Sequence, residues 1–335
     1  MKIYKTAIIG CGNIASNFDK KSLSGKAYTH AGAYHLNPKT KNIAVSDLSQ
    51  SRLDSFAKKW GNKSVYTDYR DMLKKEKIDI LSICTPASSH LDIVKQACRY
   101  PVKAIYCEKP VTDTVKQAKE MISVCRKNNV ILMINHQRRF GPFYRELKDK
   151  LSMDKLGTVQ QAALYYTRGI RNTCTHMIDL FCFLLGEPKE VMAWYSKNMS
   201  PFENDPNIDG YIRFKSGITA WLKACDDRNY LILDMDIITT KARISLGDKI
   251  KCFKALPGKN LLKRRELFEC KESFFRFEYP DYGMSSLTYG VSHIIDCIEH
   301  KKRPLSAGED AIKSLQIIEK MLLSAKNNKR HKIAL

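Results

Sequence analysis

The sequence predicts an α/β protein in two parts: a doubly wound parallel sheet over residues 1–135, then an α+β domain with a mostly antiparallel sheet over residues 136–335. Three observations predict it. The chain opens as an apolar strand that runs into Gly10-x-Gly12-x-x-Ala15. Short apolar strands then alternate with helices as far as residue 134. Past residue 155 the alternation gives way, after one helix, to longer stretches of period-2 patterning, with two more helices at the end.

The opening turn is the most telling element. Gly10 permits a sharp bend, Gly12 lets a ligand approach the backbone with no Cβ in the way, and Ala15 is small enough for a following helix to pack on the strand. The N–H groups at the start of that helix would face an anion. Gly10, Gly12, Asn13 and Ile14 are therefore the candidate cradle for a dinucleotide pyrophosphate. A polar stretch, residues 19–26, reads as an insertion before a helical run at 30–36. Strands follow at 42–47, 65–66, 78–84, 104–107 and 130–134. Helices are expected between them at 49–60, 69–75 (capped by Asp68), up to 97 (capped by Ser88 or Ser89) and from Asp113 or Thr114 to 127. Strands separated by helices pair in parallel through right-handed crossovers, and ligands sit beyond their carboxyl ends.

In the second part a helix at 173–185 stops at Gly186, with Pro188 beyond. Strands are expected at 191–197, 210–215, 217–224, 230–238, 242–246 and 250–255, with a turn at Lys215-Ser216-Gly217. Two helices, 285–300 and 308–327, close the chain.

Composition narrows the class. With 335 residues, 44% hydrophobic and 27% charged, the chain suits two globular domains. No apolar run approaches the roughly 18 residues of a membrane span, and the N-terminus lacks a signal-peptide cleavage site, so a cytoplasmic location is expected. The eleven cysteines are odd in number and contain no Cys-x-x-Cys pair, so neither a disulfide framework nor a metal site is expected. The net charge of +22 would suit an anionic partner. Its dense runs, Lys263-Arg264-Arg265 and residues 326–332, come without a helix-turn-helix, zinc finger or aromatic platform. Neither nucleic acid nor a membrane is expected as a partner.

Four places at strand ends or helix starts carry potential chemistry. Asp47 ends the second strand, where a carboxylate hydrogen-bonds an adenosine ribose and repels a 2′-phosphate. That favours NAD. NADP stays open because Arg52 is close by and because Asp47 lies 35 residues after Gly12, where about 20 is usual. Capping of the next helix is the plainer role for Asp47. Thr85-Pro86 follows the fourth strand and lines a cofactor crevice or makes an ordinary turn. Glu108-Lys109-Pro110 follows the fifth strand; a lysine there points toward the nicotinamide and can share a substrate hydroxyl proton, or sits in a surface turn. His176 begins a helix four residues after Asn172 and suits proton exchange with an alcohol, or serves as a buried or capping histidine.

Taken together these motifs resemble the glucose–fructose oxidoreductase/inositol dehydrogenase (Gfo/Idh/MocA) family. The resemblance rests on the glycine turn, Thr85-Pro86, Glu108-Lys109-Pro110, His176-x-x-Asp179-Leu180 with Leu184-Leu185-Gly186, and Arg303-Pro304-Leu305-Ser306 before Glu309-Asp310-Ala311. It spans essentially the whole chain. It implies an N-terminal Rossmann domain, a C-terminal domain whose open-faced sheet walls the substrate pocket and often joins subunits of a homo-oligomer, and an NAD(P)-dependent dehydrogenase of a sugar, cyclitol or nucleotide-sugar hydroxyl. By position, Lys109 would be the catalytic lysine, His176 the partner acid–base, and Glu108 a residue flanking the cofactor. Two departures stand out: Asn172 where the family commonly has aspartate, and Ala87 where asparagine often follows Thr-Pro. They keep open a non-catalytic dinucleotide-binding regulator or scaffold. The stretch Tyr165-Tyr166-Thr167-Arg168-Gly169 resembles members tied to surface polysaccharides or nucleotide-sugars. Arg138, Arg168 and Arg171 are the candidate phosphate or carboxylate contacts.

Overall fold

The computed structural model describes residues 2–19, 27–62, 64–228, 230–247, 251–255, 265–269 and 286–334. The expected insertion at 20–26, and Lys263 and Arg264 of the first basic run, lie outside the described residues. The chain forms two compact units: Met1–Gly141 with Gly283–Ile312, and Pro142–Tyr282 with Lys313–Leu335.

The first unit holds six strands, β1 (Tyr4–Ile9), β2 (Thr40–Ser46), β3 (Ser64–Tyr66), β4 (Ile80–Ile83), β5 (Ala104–Cys107) and β6 (Ile131–Ile134). All pair in parallel, in the order β3-β2-β1-β4-β5-β6. The order reverses between β1 and β4, and that switch point opens a crevice at the carboxyl edge. Every residue of β4 and β5 is buried, as expected of strands covered on both faces. The helices are α1 (His30–Leu36), α2 (Gln50–Trp60), α3 (Tyr69–Lys75), α4 (Ala87–Ala97) and α5 (Val115–Lys127). Asp68 caps α3 through the Arg70 N–H at 2.8 Å, and Thr114 and Gln117 form a reciprocal capping box at α5.

Two local expectations are corrected. Gly12 leads into a single π-helical turn, Asn13–Asn17, in place of the helix expected there, while α1 runs over His30–Leu36 as expected. The buried carboxylate of Asp19 sets the start of α1: it accepts from the Tyr28 N–H at 2.8 Å and the Thr29 N–H at 3.1 Å. Neither Ser88 nor Ser89 caps α4. The helix starts at Ala87 after Pro86, and the Ser89 hydroxyl turns back to the Pro86 carbonyl at 2.8 Å and Thr85 Oγ1 at 2.7 Å.

The second unit is built on a nine-stranded sheet of β7 (Val159–Tyr166), β8 (Pro188–Tyr195), β9 (Ile208–Phe214), β10 (Thr219–Ala224), β11 (Leu233–Thr239), β12 (Ala242–Leu246), β13 (Lys251–Ala255), β14 (Arg265–Glu269) and β15 (His331–Lys332). The order is β14-β13-β12-β11-β7-β10-β9-β8-β15, antiparallel except for β7 with β10. Helices α6 (Pro142–Ser152) and α7 (Thr175–Leu185) belong to this unit, while α8 (Ser286–His300) packs on α1 in the first; α9 (Gly308–Asn327) closes the set. α7 is apolar all round and buried at ten of its positions, the signature of a helix inside a core. It packs with Leu164, Ile212, Leu222 and Ile237 from the sheet.

Replacing Thr114 by Ala removes the capping box on an exposed helix start. A loss of about 1 kcal/mol is expected, read as a lower urea midpoint with an unchanged m-value.

Candidate active site

At the switch point β1 and the segment after β4 approach so closely that only glycine fits at residue 10. Its φ is +91°, and a Cβ there would lie 2.7 Å from the Cys84 carbonyl oxygen. Gly12 is the opposite case. Among the described residues no atom lies within 4 Å of where its Cβ would stand. That open space beside the backbone fits a pyrophosphate, and Asn13 and Ile14 form the first turn next to it.

Asp47 follows β2 and is nearly buried. Its Oδ2 accepts from the Cys11 N–H at 2.7 Å, its Oδ1 from the Ser49 N–H at 2.9 Å, and Arg52 Nη1 stands 3.9 Å from Oδ2. The carboxylate thus ties the glycine turn to the start of α2. A carboxylate offers about four lone-pair sites, so the two backbone bonds leave capacity for ribose hydroxyls. Burial and the Asp47 charge push the Cys11 thiol up to about 12, so it stays protonated in the turn.

Thr85 and Pro86 lie at the carboxyl edge, half-buried and exposed respectively. The Thr85 carbonyl accepts from the buried His90 Nε2 at 2.8 Å, while His90 Nδ1 faces the Val111 carbonyl at 3.2 Å and Cys107 Sγ at 3.3 Å. His90 therefore links the Thr-Pro turn to the segment after Pro110.

Glu108 and Lys109 differ in burial. Glu108 is 7% exposed and points inward. Its Oε1 accepts from Asn135 Nδ2 at 2.6 Å and lies 3.0 Å from His30 Nε2; its Oε2 accepts from the Lys109 N–H at 3.3 Å. Burial works against the charge, but the His30 ring, through its hydrogen bond and through its charge when protonated, together with the Asn135 hydrogen bond and the Lys109 ammonium, outweighs it and holds the carboxyl below its ordinary value. Lys109 stays half-buried at the edge, before a cis peptide to Pro110. Arg138 sits, half-buried, in the 3-10 turn Gln137–Phe140 of the same unit.

The remaining expected site residues belong to the second unit. Arg168, two residues past β7, lies in the left-handed region at φ +66°, with Nε 3.5 Å from Asp227 Oδ2 and its guanidinium over the Phe202 ring. The helix expected over 173–185 is α7, and a π-helical turn, Gly169–Cys174, precedes it, so Asn172 lies in the turn and His176 is the second residue of α7. Asp205 is the reason. Its Oδ1 and Oδ2 accept from the Arg171 and Asn172 N–H groups, both at 2.7 Å, and Asn207 Oδ1 accepts from Gly169 N–H at 2.8 Å. A Cβ on Gly169 would fall 2.2 Å from Asp205 Oδ2. Asn172 is exposed, His176 half-buried and Asp179 buried.

Sequence reasoning missed Asp205, Asn207, His30, His90 and Asn135. Each acts on a segment distant in the chain, and none sits in a local motif. A signal existed only for Asp205 and Asn207, whose residue types favour bonding to backbone groups in irregular turns.

A six-stranded dinucleotide-type unit, a glycine cradle and an edge lysine, joined to a mixed-sheet unit, define a two-domain nicotinamide-dependent oxidoreductase. Comparison with known proteins agrees. The family described as "Oxidoreductase family, NAD-binding Rossmann fold" matches residues 4–136, and its "C-terminal alpha/beta domain" matches residues 170–335. A D-glucoside 3-dehydrogenase of Escherichia coli is 31% identical over 280 residues, covering 72% of this chain and 76% of that protein. The scyllo-inositol 2-dehydrogenase (NAD(+)) of Bacillus subtilis is 24% identical over 315 residues, covering 85% and 88%. The WlbA dehydrogenase from Bordetella pertussis, solved with NADH and UDP-GlcNAcA, shares the fold with a TM-score of 0.78 at 18% identity, covering 100% of each chain. The chain belongs to the Gfo/Idh/MocA family of NAD-binding sugar and cyclitol dehydrogenases, and it is an NAD-dependent oxidoreductase.

Asp205→Ala should leave the Arg171 and Asn172 N–H groups unmatched. A loss of about 3 kcal/mol is expected, read by urea unfolding, with Asp205→Asn recovering part of it.

Proposed function

We propose that this chain oxidises a secondary hydroxyl of a sugar, cyclitol or nucleotide-sugar, with Lys109 and His176 handling the hydroxyl proton. The observation that supports this reading is the place of Lys109 just after β5, at the carboxyl edge and half-buried, next to a Glu108 carboxylate clamped inside the unit by His30 and Asn135. Bound NAD supplies the hydride acceptor. The glycine turn and Asp47 hold the dinucleotide, Thr85 and Pro86 line its crevice, and Arg52 beside Asp47 is the feature through which NADP would be tolerated. Lys109 binds the substrate hydroxyl and shares its proton, and His176 completes the exchange. Asn172 orients the hydroxyl through its amide, since it carries no charge to lend the imidazole.

Arg138, Arg168 and Arg171 suit the phosphate or carboxylate of a nucleotide-sugar, a substrate consistent with the net charge of +22 and with a role in surface-polysaccharide synthesis. The named substrates of the relatives, a glucoside and an inositol, are neutral, so the arginines decide between the two classes. Homo-oligomer formation would use the exposed sheet face, where Trp221 pairs with Tyr211 and Ile238 lies on the same side. The protein would work in the cytoplasm.

The test is NADH fluorescence with NAD and a panel of D-glucosides, scyllo- and myo-inositol and UDP-GlcNAcA. NADH should accumulate with at least one compound, and Lys109→Met should lower its kcat by about 100-fold or more while NADH affinity, by calorimetry, stays within about twofold. Wild-type turnover in both Lys109→Met and His176→Ala would refute the role assignment. A panel that stays silent while NAD binds would favour the regulator reading that Asn172 and Ala87 suggest.

A further inference from the structure

A line of buried polar groups runs beneath β4 and β5, and the proton-handling roles above leave it unused. Tyr34 OH lies 2.7 Å from Ser82 Oγ, Ser82 Oγ lies 2.8 Å from His30 Nδ1, and His30 Nε2 lies 3.0 Å from Glu108 Oε1. Beyond Glu108, Asn135 donates to Oε1 and accepts from Tyr106 OH at 2.6 Å. All six residues are buried within the first unit. His30 and Tyr34 are four apart on α1, so both reach Ser82 from one helix face. Asp19 and the Thr29 cap fix the start of that helix, and Gly290 of α8 lets Tyr106 OH fit, since a Cβ there would stand 2.3 Å from it.

The proton positions follow from counting donors. Burial keeps both phenols protonated, with the Glu108 charge adding to the effect at Tyr106. If Tyr34 donates to Ser82 and Ser82 donates to His30 Nδ1, then Nε2–H donates to Glu108 and every hydrogen has an acceptor. A doubly protonated imidazole puts three hydrogens on two links: Nδ1–H donates to Ser82, and whichever of Ser82 and Tyr34 donates to the other, one hydroxyl hydrogen is left without an acceptor among the described residues. A buried unmatched hydroxyl is disfavoured. The arrangement in which every hydrogen has an acceptor is thus the one with Nε2–H donating to Glu108 and Nδ1 accepting from Ser82.

We propose that His30 is a positioning residue: locked as an Nε2–H donor by Tyr34 and Ser82, it anchors the Glu108 carboxylate so that the negative charge and Oε2 serve Lys109. As a statement about turnover this rests on the reading of Lys109 as the catalytic lysine. As a statement about Lys109 itself it does not.

The test uses the full-length apo protein. Long-range proton–nitrogen NMR of the histidines, with His30 assigned by its loss in His30→Gln, should show a neutral ring protonated on Nε2 at neutral pH. An imidazolium pattern would overturn the proposal. Next, lysines are reductively methylated with ¹³C, and the Lys109 signal is assigned by its loss in Lys109→Met. Glu108→Gln and His30→Ala should each lower the Lys109 titration midpoint by about half a pH unit or more. The double variant should fall no further than Glu108→Gln, because His30 acts through the carboxylate. Unchanged or additive midpoints would refute it. If His30→Ala fails to fold, Ser82→Ala and His30→Gln take its place: the first should mix the two neutral tautomers, and the second, which keeps a donor, should preserve most of the Lys109 midpoint. With the fastest panel substrate, His30→Ala should lower kcat about tenfold at unchanged KM. Full turnover in Lys109→Met would sink the functional reading yet leave the NMR arms standing, so the two failures are separable.

Discussion

The approach of β1 to the segment after β4 constrains everything at the carboxyl edge of the first unit. The Gly10 backbone passes so near the Cys84 carbonyl that no side chain fits between them, and its N–H is taken by Ser46 of β2 at 2.7 Å. Three strand ends are thereby drawn to one point. The turn that follows must then leave the sheet abruptly, which brings Gly12 to open space and places Cys11 N–H against Asp47. A cradle for an anion is the geometric consequence of close strand packing followed by a residue with no Cβ.

The same device recurs across both units. Each of the two π-helical turns has a carboxylate from a distant segment on or beside it: Asp47 binds the residue before Gly12, and Asp205 binds two N–H groups inside the turn Gly169–Cys174. Irregular helical turns leave backbone donors unmatched, and charged acceptors satisfy them strongly. The segments carrying Asn13, Ile14, Arg171 and Asn172 are thus held by groups that need not touch a ligand. Precise placement of loop residues comes from these inward-facing carboxylates, while the charges that reach solvent, such as Lys39 with Glu299, are screened and contribute little.

Much of this architecture was legible before any coordinates. Strands β4 and β5 show as short apolar runs because they are covered on both faces, and helix starts at Asp68 and Thr114 show as capping residues. Strand β7 was not legible: Val159-Gln160-Gln161-Ala162-Ala163 is polar and small where the pattern should begin, and its alternation emerges only toward Tyr166. Helix α6 lies in a stretch, residues 136–155, that offers no strong stop signal, and β15 hides in a basic tail because it needs only two residues to pair with β8. The turn after Gly12 was read as ordinary helix, and the turn at Gly169–Cys174 was not legible, since the bonds that hold its N–H groups come from Asp205 rather than from its own residues.

The candidate site divides along the same line. The sequence by itself determined the glycine cradle, the edge lysine and the acid at the end of β2, because each depends on residue type at a fixed place after a strand, which is local information. The tertiary structure alone decided that Glu108 faces inward to His30 and Asn135 while Lys109 stays at the edge, that Asp205 holds Asn172, and that α8 packs on α1. Those facts rest on pairings across 27 to 78 residues for Glu108 and 33 for Asn172. A buried polar group is stable only once its distant partner has arrived, so its role is written in the fold and not in the neighbouring letters.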